Sequence, residues 1–396
     1  MQEQLILEFE NELKSILSYW AKYAIDDING GFLGALNSNN KITENAPKGA
    51  VLNARILWSF SAGYNFNQDS SYLKLAERSF EYLKNHFIDK EFGGVYWSAD
   101  ALGNPLDTKK QIYALSFAIY GLIEYYKASN NQEALDLAIS LFNDIEKYSF
   151  DAKNGGYLEA LTRDWKEIGD LRLSDKDANE KKTMNTHLHI LEAYTNLYRH
   201  WPNQQLKIKI QHLLEVFDQH ILDKSTKHLI LFFDEKWKSN YNIVSYGHDV
   251  EASWLMLEAT EVIGDEKLIH HFEKLAVEIA SASAEGIDEN GAMIYELQVD
   301  KNHQIPEKHW WVQAEAMVGF LNAYQLHKDE KLFNHFLTIW DFTKKHIIDH
   351  KNGEWFWGVN KDFSLMQGED KAGFWKCPYH NSRACIEVIS RLKKLN

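Results

Sequence analysis

Apolar positions along this chain follow two helical patterns that alternate from the first residues to the last. Segments 73–87 and 135–145 carry apolar side chains every three or four positions, which predicts helices with one buried face. A second set is apolar on more than one face, and this predicts helices that are buried on most sides. These segments are 51–64, 111–126, 187–198, 248–262, 311–326 and 379–392.

Short glycine turns separate the helical segments at a nearly constant interval. The central glycines are Gly30, Gly93, Gly155, Gly291 and Gly353. The first two intervals are 63 and 62 residues, and the last is 62. The interval of 136 residues in between fits two units plus an insertion in the charged loop 172–182, with a turn lacking glycine near 227–229. Six units of two helices each are therefore expected.

Six amphipathic helices alternating with six more buried ones predict an all-α fold. The expected architecture is an (α/α)6 barrel, in which six helical hairpins form an inner and an outer ring. An open superhelix is the alternative, but it would need capping repeats and would not bury an inner set on all sides. No linker or low-complexity stretch divides the chain, so residues 1–396 are expected to form one catalytic domain. A single short strand is expected at 229–233.

Composition and charge narrow the classes of partner. The net charge is −14, and the only basic cluster is the short tail 391–394, which argues against nucleic acid and anionic membranes as partners. No apolar run approaches the roughly 18 residues of a membrane helix, and the N-terminus does not resemble a secretory signal. Only Cys377 and Cys385 are present, so inert thiols and a cytoplasmic location are expected. The 13 Trp, 19 Tyr and 21 Phe suit a pocket that stacks on sugar rings.

Polar and aromatic side chains lie in the first one or two turns of each of the six buried helices. In chain order they are Arg55, Tyr113, Asn185 with His189, His248 with Glu251, Trp311 with Glu315, and His380. Equivalent positions of inner helices converge on the barrel axis, so these side chains are expected to surround one pocket. A lone histidine on such a helix is usually structural, but three at matching repeat positions favour a functional site. His187 is expected on another face of its helix.

The sequence motifs of several other classes of enzyme and binding site are absent from this chain. The chain contains no HExxH, CxxC or EF-hand pattern, and its Gly-Gly pairs lie in turns instead of phosphate-binding loops, so no obligatory metal or cofactor is predicted. The GxSxG motif that carries the nucleophile of many serine hydrolases is also absent, which argues against that class. Glycoside hydrolysis stays open because Asp249, Glu251 and Glu315 offer the two carboxylates that it needs. His270 and His271 lie in a Lys/Glu-rich helix and are expected to be solvated.

Four motifs resemble the N-acylglucosamine 2-epimerase family: NTHLHILEAY (185–194), YGHDVE (246–251), WWVQAE (310–315) and FWKCPYHN (374–381). The similarity covers essentially the whole chain and implies an (α/α)6 barrel. It further implies that His248 and His380 are the proton-transferring pair and that His189 supports them. The residues that it assigns to sugar binding are Arg55, Tyr113, Asn185, Glu251, Trp311 and Trp375. The WKCPYH run (375–380) favours the branch of this family that acts on disaccharides.

The resemblance implies inversion of carbon 2 at the reducing-end sugar of cellobiose, lactose or mannobiose. The C2 proton is acidic only in the open-chain aldehyde, and histidine, with a pKa near ~6.5, is a suitable base. The resulting enediolate needs donors, which Arg55, Tyr113 or a protonated histidine would supply. N-acylglucosamine epimerisation, aldose–ketose isomerisation, glycoside hydrolysis and non-catalytic sugar binding remain alternatives. A monomer or weak homodimer with a small oligosaccharide substrate is expected.

Overall fold

A computed structural model describes residues 2–395, and within them the chain forms twelve α-helices and fourteen very short strands. The helices are α1 Gln2–Tyr23, α2 Ala50–Asn67, α3 Ser70–His86, α4 Ile112–Ser129, α5 Gln132–Tyr148, α6 Met184–His200, α7 Gln204–Val216, α8 Tyr246–Ile263, α9 Glu266–Ser283, α10 Trp310–His327, α11 Glu330–Phe342 and α12 Tyr379–Lys393. The strands are β1 Leu36–Asn37, β2 Lys48–Gly49, β3 Ser98–Ala99, β4 Pro105–Asp107, β5 Lys110–Gln111, β6 Ala160–Leu161, β7 Lys182–Thr183, β8 Phe232–Phe233, β9 Ile243–Ser245, β10 Glu296–Gln298, β11 His303–Ile305, β12 Lys308–His309, β13 Gly358–Val359 and β14 Asp370–Ala372.

The even-numbered helices form a closed inner ring. Each packs against the next along the chain, and α12 returns to pack against α2. The odd-numbered helices lie outside this ring against one or two inner helices, as α7 does against α6 and α8. Residues 50–63 of α2 are all buried, whereas α3 buries a single face. The predicted (α/α)6 barrel with its two kinds of helix is confirmed.

The inner helices begin close to their predicted positions, with one difference of three residues. Helix α6 starts at Met184, whereas the apolar pattern indicated 187. The hydroxyl of Thr183 accepts a hydrogen bond from the backbone N–H of Thr186 and so caps an earlier first turn. Apolar periodicity does not detect such a cap, because the cap is polar and precedes the periodic residues.

The same turn follows each of the six outer helices. An aspartate carbonyl accepts a backbone hydrogen bond from a residue three or four positions later, and an antiparallel bridge flanks the turn. The turns begin at Asp26, Asp89, Asp151, Asp223, Asp288 and Asp349. In the fourth turn Lys227 takes the left-handed conformation, with φ of 66°, that glycine takes in the others. The turn without glycine that the sequence predicted near 227–229 is therefore the turn of the fourth repeat.

Short antiparallel strand pairs join neighbouring units around one end of the barrel. Each strand that precedes an inner helix pairs with the strand that follows the next outer helix, and β14 pairs with β1 to close the circle. The remaining pairs of this kind are β2 with β3, β5 with β6, β7 with β8, β9 with β10, and β12 with β13. The strand expected at 229–233 is reduced to Phe232–Phe233, preceded by a single bridge at Leu229. These pairs fix the N-terminal ends of the inner helices.

Five of these strands carry a buried lysine that pairs with an aspartate of the preceding turn. The pairs are Lys48–Asp26, Lys110–Asp89, Lys182–Asp151, Lys308–Asp288 and Lys371–Asp349. Val244 takes the equivalent position in the fourth unit. The first four lysines lie two residues before their inner helices, and Lys371 lies eight residues before α12. The apolar pattern alone did not reveal this repeat.

Smaller expectations agree with the structure. Cys377 and Cys385 are buried and are not joined to each other. His270 and His271 are exposed, and His271 lies 3.1 Å from a carboxylate oxygen of Asp218. Within residues 2–395, no helix combines the length and the apolar character that a bilayer crossing demands.

Candidate active site

A cavity of about 390 Å³ opens at the N-terminal end of the inner helices. All nine residues to which the family resemblance assigned a role contribute to its wall, namely Arg55, Tyr113, Asn185, His189, His248, Glu251, Trp311, Trp375 and His380, whereas Glu315, also expected at this pocket, does not. Eight of them lie on inner helices and Trp375 lies on the loop before α12. The expected convergence on the barrel axis is therefore present, whatever role each side chain has.

His380 is held from behind by a carboxylate. Its Nδ1 lies 2.7 Å from Oε1 of Glu315 on α10. Because an ionised carboxylate only accepts hydrogen bonds, Nδ1 carries the proton and Nε2 is left with its lone pair. Burial, reinforced by the charges of Arg55 and Arg383, places the pKa of His380 well below its usual range. Burial therefore favours the neutral form of this ring, in which Nε2 is the nitrogen that can accept a proton.

His189 has a carboxylate partner of its own, three residues along the same helix. Its Nδ1 lies 2.8 Å from Oε2 of Glu192. The other oxygen of Glu192 accepts hydrogen bonds from Tyr379 and Arg383. Burial acts to raise the pKa of Glu192, but Arg383 and the hydrogen bonds from His189 and Tyr379 outweigh it and lower that pKa to about 2. Glu192 is therefore ionised and fixes the orientation of the His189 ring.

His248 differs from the other two imidazoles because its partner is a hydroxyl. Its Nδ1 lies 2.8 Å from Oγ of Ser245. The ring packs on Trp311 with centroids 4.7 Å apart, and Trp311 also lies 5.8 Å from the ring of His380. Burial, with a smaller contribution from His189, lowers the pKa of His248 to about 3. His248 and His380 thus flank one indole, and burial works against the protonated form of both rings.

Arg383 connects the carboxylates behind the cavity. Its Nη2 lies 2.6 Å from oxygens of both Glu251 and Glu315, and its Nη1 binds Glu192. Burial and the neighbouring charge of Glu315 nevertheless raise the pKa of Glu251 to about 7. One buried cation therefore faces three carboxyl groups, of which Glu251 is half protonated near neutral pH.

This cluster also contains a possible set of metal ligands. Donor atoms of Glu251, Glu315 and His380 lie within 4.8 Å of one another. Arg383 already bonds both carboxylates, and Nδ1 of His380 carries a proton toward Glu315. A metal ion would have to displace that guanidinium, so the cluster is organised as an ion-paired network. The absence of an obligatory metal stays a prediction.

Arg55 and Tyr113 form the donor side of the cavity. Nη2 of Arg55 lies 2.8 Å from the hydroxyl of Tyr113, and the guanidinium packs on the ring of Phe117 at 4.0 Å. Nε of Arg55 and Oδ1 of Asn185 are buried without a hydrogen-bond partner in the described part of the chain. A substrate hydroxyl or oxyanion would satisfy such groups.

Two tryptophans supply the apolar surface. Trp311 and Trp375 are partly exposed although their neighbours are buried. The Trp375 ring lies 5.7 Å from Trp97 and 6.2 Å from Tyr113. Indole faces held in this way bind the C–H faces of sugar rings.

The structure adds residues that sequence reasoning missed. The further residues around the cavity are Leu173, Ser174, Asp175, Lys176, Asp177, Tyr295, His309, Trp310, Trp357 and Glu369. A second cavity of about 500 Å³ adjoins the first and shares the tip of the 172–182 loop, Tyr295 and His309 with it. The loop was noticed only as an insertion, because nothing in its charged sequence indicates that it folds over the barrel mouth.

Two other expectations are settled by side-chain direction. His187 lies away from the cavity, with Nδ1 at 2.7 Å from the Thr183 carbonyl and Nε2 accepting from the Tyr157 N–H. Asp249 binds His228 at 2.7 Å instead of reaching the cavity. Glu315 lies behind His380, so Glu251 is the one of the three nominated carboxylates that reaches the wall.

Comparisons with known proteins agree with this geometry. Residues 30–384 match the N-acylglucosamine 2-epimerase family. A cellobiose 2-epimerase of Bacteroides fragilis is 52% identical over 98% of this chain and 100% of that enzyme. The structure of a cellobiose 2-epimerase from Bacillus thermoamylovorans superposes with a TM-score of 0.93 at 41% identity, covering 98% and 100% of the two chains. A D-mannose isomerase of Marinomonas mediterranea is 22% identical over 97% of this chain and 96% of that enzyme.

Proposed function

Since the chain belongs to the N-acylglucosamine 2-epimerase family and is a carbohydrate epimerase or isomerase, we propose that it inverts carbon 2 at the reducing end of β-1,4-linked disaccharides. The reaction interconverts a reducing-end glucose and mannose. The supporting observation is one cavity that holds three imidazoles, each with its own partner on Nδ1, together with an arginine and a phenol. The strong similarity to cellobiose 2-epimerases supports the choice of disaccharide.

Ring opening comes first. The C1–O5 bond breaks, O5 gains a proton and the C1 hydroxyl loses one, which gives the open-chain aldehyde. His189 supports this step from its place beside Tyr113, with ring centroids 5.0 Å apart. Only the aldehyde makes the C2 proton acidic enough for an imidazole to remove.

Inversion at carbon 2 is then a proton exchange between two faces. Nε2 of His248 or His380 takes the C2 proton, and the electron pair moves onto the C1 oxygen to form an enediolate. Arg55 and Tyr113, both buried, donate hydrogen bonds to that oxygen. The other histidine, protonated on Nε2 when the sugar binds, gives its proton to the opposite face of C2. The two histidines have then exchanged protonation states, and proton exchange with solvent restores the starting state before the next turnover in the same direction. In the alternative scheme, a single histidine removes the C2 proton and returns it to the other face after the intermediate has rotated.

The remaining wall residues hold the sugars. A cavity of about 390 Å³ lies within the range of small-ligand sites. Trp311 and Trp375 stack on sugar faces, and Asn185 and Glu251 bind hydroxyl groups. Trp375 is proposed to contact the non-reducing unit, because it lies on the loop at the mouth and not on an inner helix.

Three alternatives use the same barrel. An aldose–ketose isomerase would move the C2 proton to C1, and the likeness to a D-mannose isomerase keeps that reaction under consideration. A hydrolase would need a second carboxylate facing Glu251; Asp249 and Glu315 lie outside the cavity wall, whereas Asp175, Asp177 and Glu369 lie on it. An N-acylglucosamine epimerase would act on an amidosugar, and a non-catalytic protein would bind sugar without exchanging its protons.

Incubation of the purified protein with cellobiose in deuterated buffer containing a chelator tests the proposal. The expected result is a glucosyl-mannose product that is deuterated at C2 and remains an aldose. A ketose would assign the isomerase, released glucose would assign the hydrolase, and bound but unlabelled cellobiose would leave only sugar binding. N-acetylglucosamine in a parallel incubation separates the two epimerase branches.

The remaining proposals concern the state of the protein. We propose that residues 1–396 form one catalytic domain that works as a monomer or weak homodimer, because all nine nominated residues come from a single chain. Reduced, buried thiols support a cytoplasmic location. No cofactor is part of the proposed chemistry.

A further inference from the structure

Ser245 occupies the N-cap position of α8 but does not cap the helix. Serine at this position normally accepts a hydrogen bond from a backbone N–H of the first turn. Here its backbone is extended, its side chain makes no capping bond, and its Oγ lies 2.8 Å from Nδ1 of His248. The hydroxyl is fully buried. Its hydrogen-bonding capacity is therefore directed at the imidazole.

The equivalent residue before α6 shows the ordinary behaviour. The Oγ1 of Thr183 accepts the backbone N–H of Thr186 at 3.1 Å. The histidine of that first turn, His187, binds backbone groups and faces away from the cavity. Of these two helices, only α8 has its N-cap hydroxyl bonded to a histidine, and only in α8 does the histidine of the first turn face the cavity.

The position of Ser245 is rigid. It is the last residue of β9 and pairs with Glu296 in the three-stranded sheet of β9, β10 and β11. Within residues 2–395 its hydroxyl is the only side-chain hydrogen-bond partner of His248. The strand therefore fixes Oγ on one side of the imidazole, while Nε2 is left for the cavity.

We propose that Ser245 is a positioning residue that holds the proton of His248 on Nδ1 and so presents a bare Nε2 to carbon 2 of the sugar. This inference rests on the proposed epimerase function. A hydroxyl can donate or accept, and in this proposal Oγ accepts from Nδ1–H, so that Nε2 keeps its lone pair. Glu315 and Glu192 do the same for His380 and His189, but as charged acceptors. A hydroxyl orients the ring without adding a negative charge beside it.

Three variants test this role. Ser245→Ala removes the acceptor, Ser245→Thr keeps a hydroxyl in a strand-favouring residue, and Ser253→Ala is the matched control. Ser253 is a buried serine of the same helix whose Oγ binds only the Val250 carbonyl, at 2.7 Å. Initial rates of C2 epimerisation of cellobiose give kcat and KM for each variant.

Ser245→Ala is expected to lower kcat about 10-fold with KM within twofold of the parent, since losing the partner of a working imidazole typically costs 10- to 100-fold at metal sites. Ser245→Thr should recover most of kcat, and Ser253→Ala should not change it. An Ala variant with parental kcat overturns the inference. So does a loss of kcat that Ser253→Ala reproduces.

Nitrogen NMR of protein labelled with ¹⁵N-histidine reads the proton position directly, with the His248 signal identified by its loss in His248→Gln. The parent should show the proton on Nδ1, and Ser245→Ala should shift it toward Nε2. A parent with the proton on Nε2 overturns the inference even if epimerisation is normal. Failure of the unaltered protein to exchange the C2 proton would instead overturn the proposed function. The NMR result would still report the proton position on His248, because it does not depend on activity.

Discussion

His380 and Arg383, one turn apart on α12, bind the same oxygen of Glu315. Nδ1 of the imidazole lies 2.7 Å from that oxygen and Nη2 of the guanidinium lies 2.6 Å from it. The same guanidinium binds Glu192, which holds His189. One buried cation therefore fixes the carboxylates behind two of the three cavity imidazoles.

Removal of either histidine of the proposed proton-transferring pair should stop the reaction. His248→Asn and His380→Asn are each expected to reduce C2 deuterium exchange by about 10³-fold, within the usual range for general acid–base groups. The measurement is NMR of the labelled sugar, with thermal unfolding to show that the fold persists. His270→Asn, at an exposed position, is the control. A double variant with full activity would refute the assignment.

Truncation of Trp375 should affect disaccharides more than monosaccharides. Trp375→Ala removes an indole face at the mouth of the cavity, so KM for cellobiose should rise about 10-fold, while KM for mannose or glucose should change less. Steady-state kinetics on both sugar classes check this. Trp165→Ala is the control, because Trp165 stacks on Tyr148 away from the cavity. Equal changes for both sugar classes would place Trp375 at the reducing-end unit instead.

Loss of Arg383 should destabilise the fold in a pH-dependent manner. Arg383→Met leaves buried carboxylates without their cation, at an expected cost of about 3–5 kcal/mol near pH 8. In the parent, the pKa of Glu192 is lowered to about 2, below its unfolded value near ~4.3, so its stabilisation is present above that value and is lost as pH falls.

In Arg383→Met the pKa of Glu192 should instead rise above its unfolded value, and the pKa values of Glu251 and Glu315, already raised in the parent, should rise further. The folded state then binds more protons than the unfolded state, so the variant gains stability as pH falls from 8 to 5. Urea unfolding at several pH values measures this trend. Arg391→Met on the same helix is the control, and a deficit that does not shrink toward pH 5 would contradict the prediction.

The buried lysine pairs should each contribute to stability independently of the chemistry. Lys48→Met leaves Asp26 buried without its partner and is expected to lower the free energy of unfolding by about 3 kcal/mol. Lys84→Met, which breaks an exposed pair with Glu81, should cost less than about 1 kcal/mol. Urea denaturation compares the two variants. Equal effects would show that burial of the pair does not matter.

The sequence by itself determined the barrel. Apolar periodicity separates helices with one buried face from helices buried on most sides, and the glycine interval sets six repeats, because both depend on local spacing. Repeat equivalence also placed residues as distant as Arg55 and His380 at the same end of the inner ring. Eight residues of the cavity wall followed from that symmetry, whereas Trp375 followed only from the family resemblance.

Only the tertiary structure decided what stands behind the cavity wall. The acceptors Glu192 and Ser245 look like ordinary helix or cap residues in the sequence, and Arg383 gives no periodic signal. Glu315 was expected on the wall but lies behind His380. Likewise, Asp249 carries suitable chemistry but binds His228 outside the cavity. The reason is physical: a spacing rule fixes the face of a helix, but hydrogen-bond partners from other helices and the 172–182 loop are set by the closure of the ring.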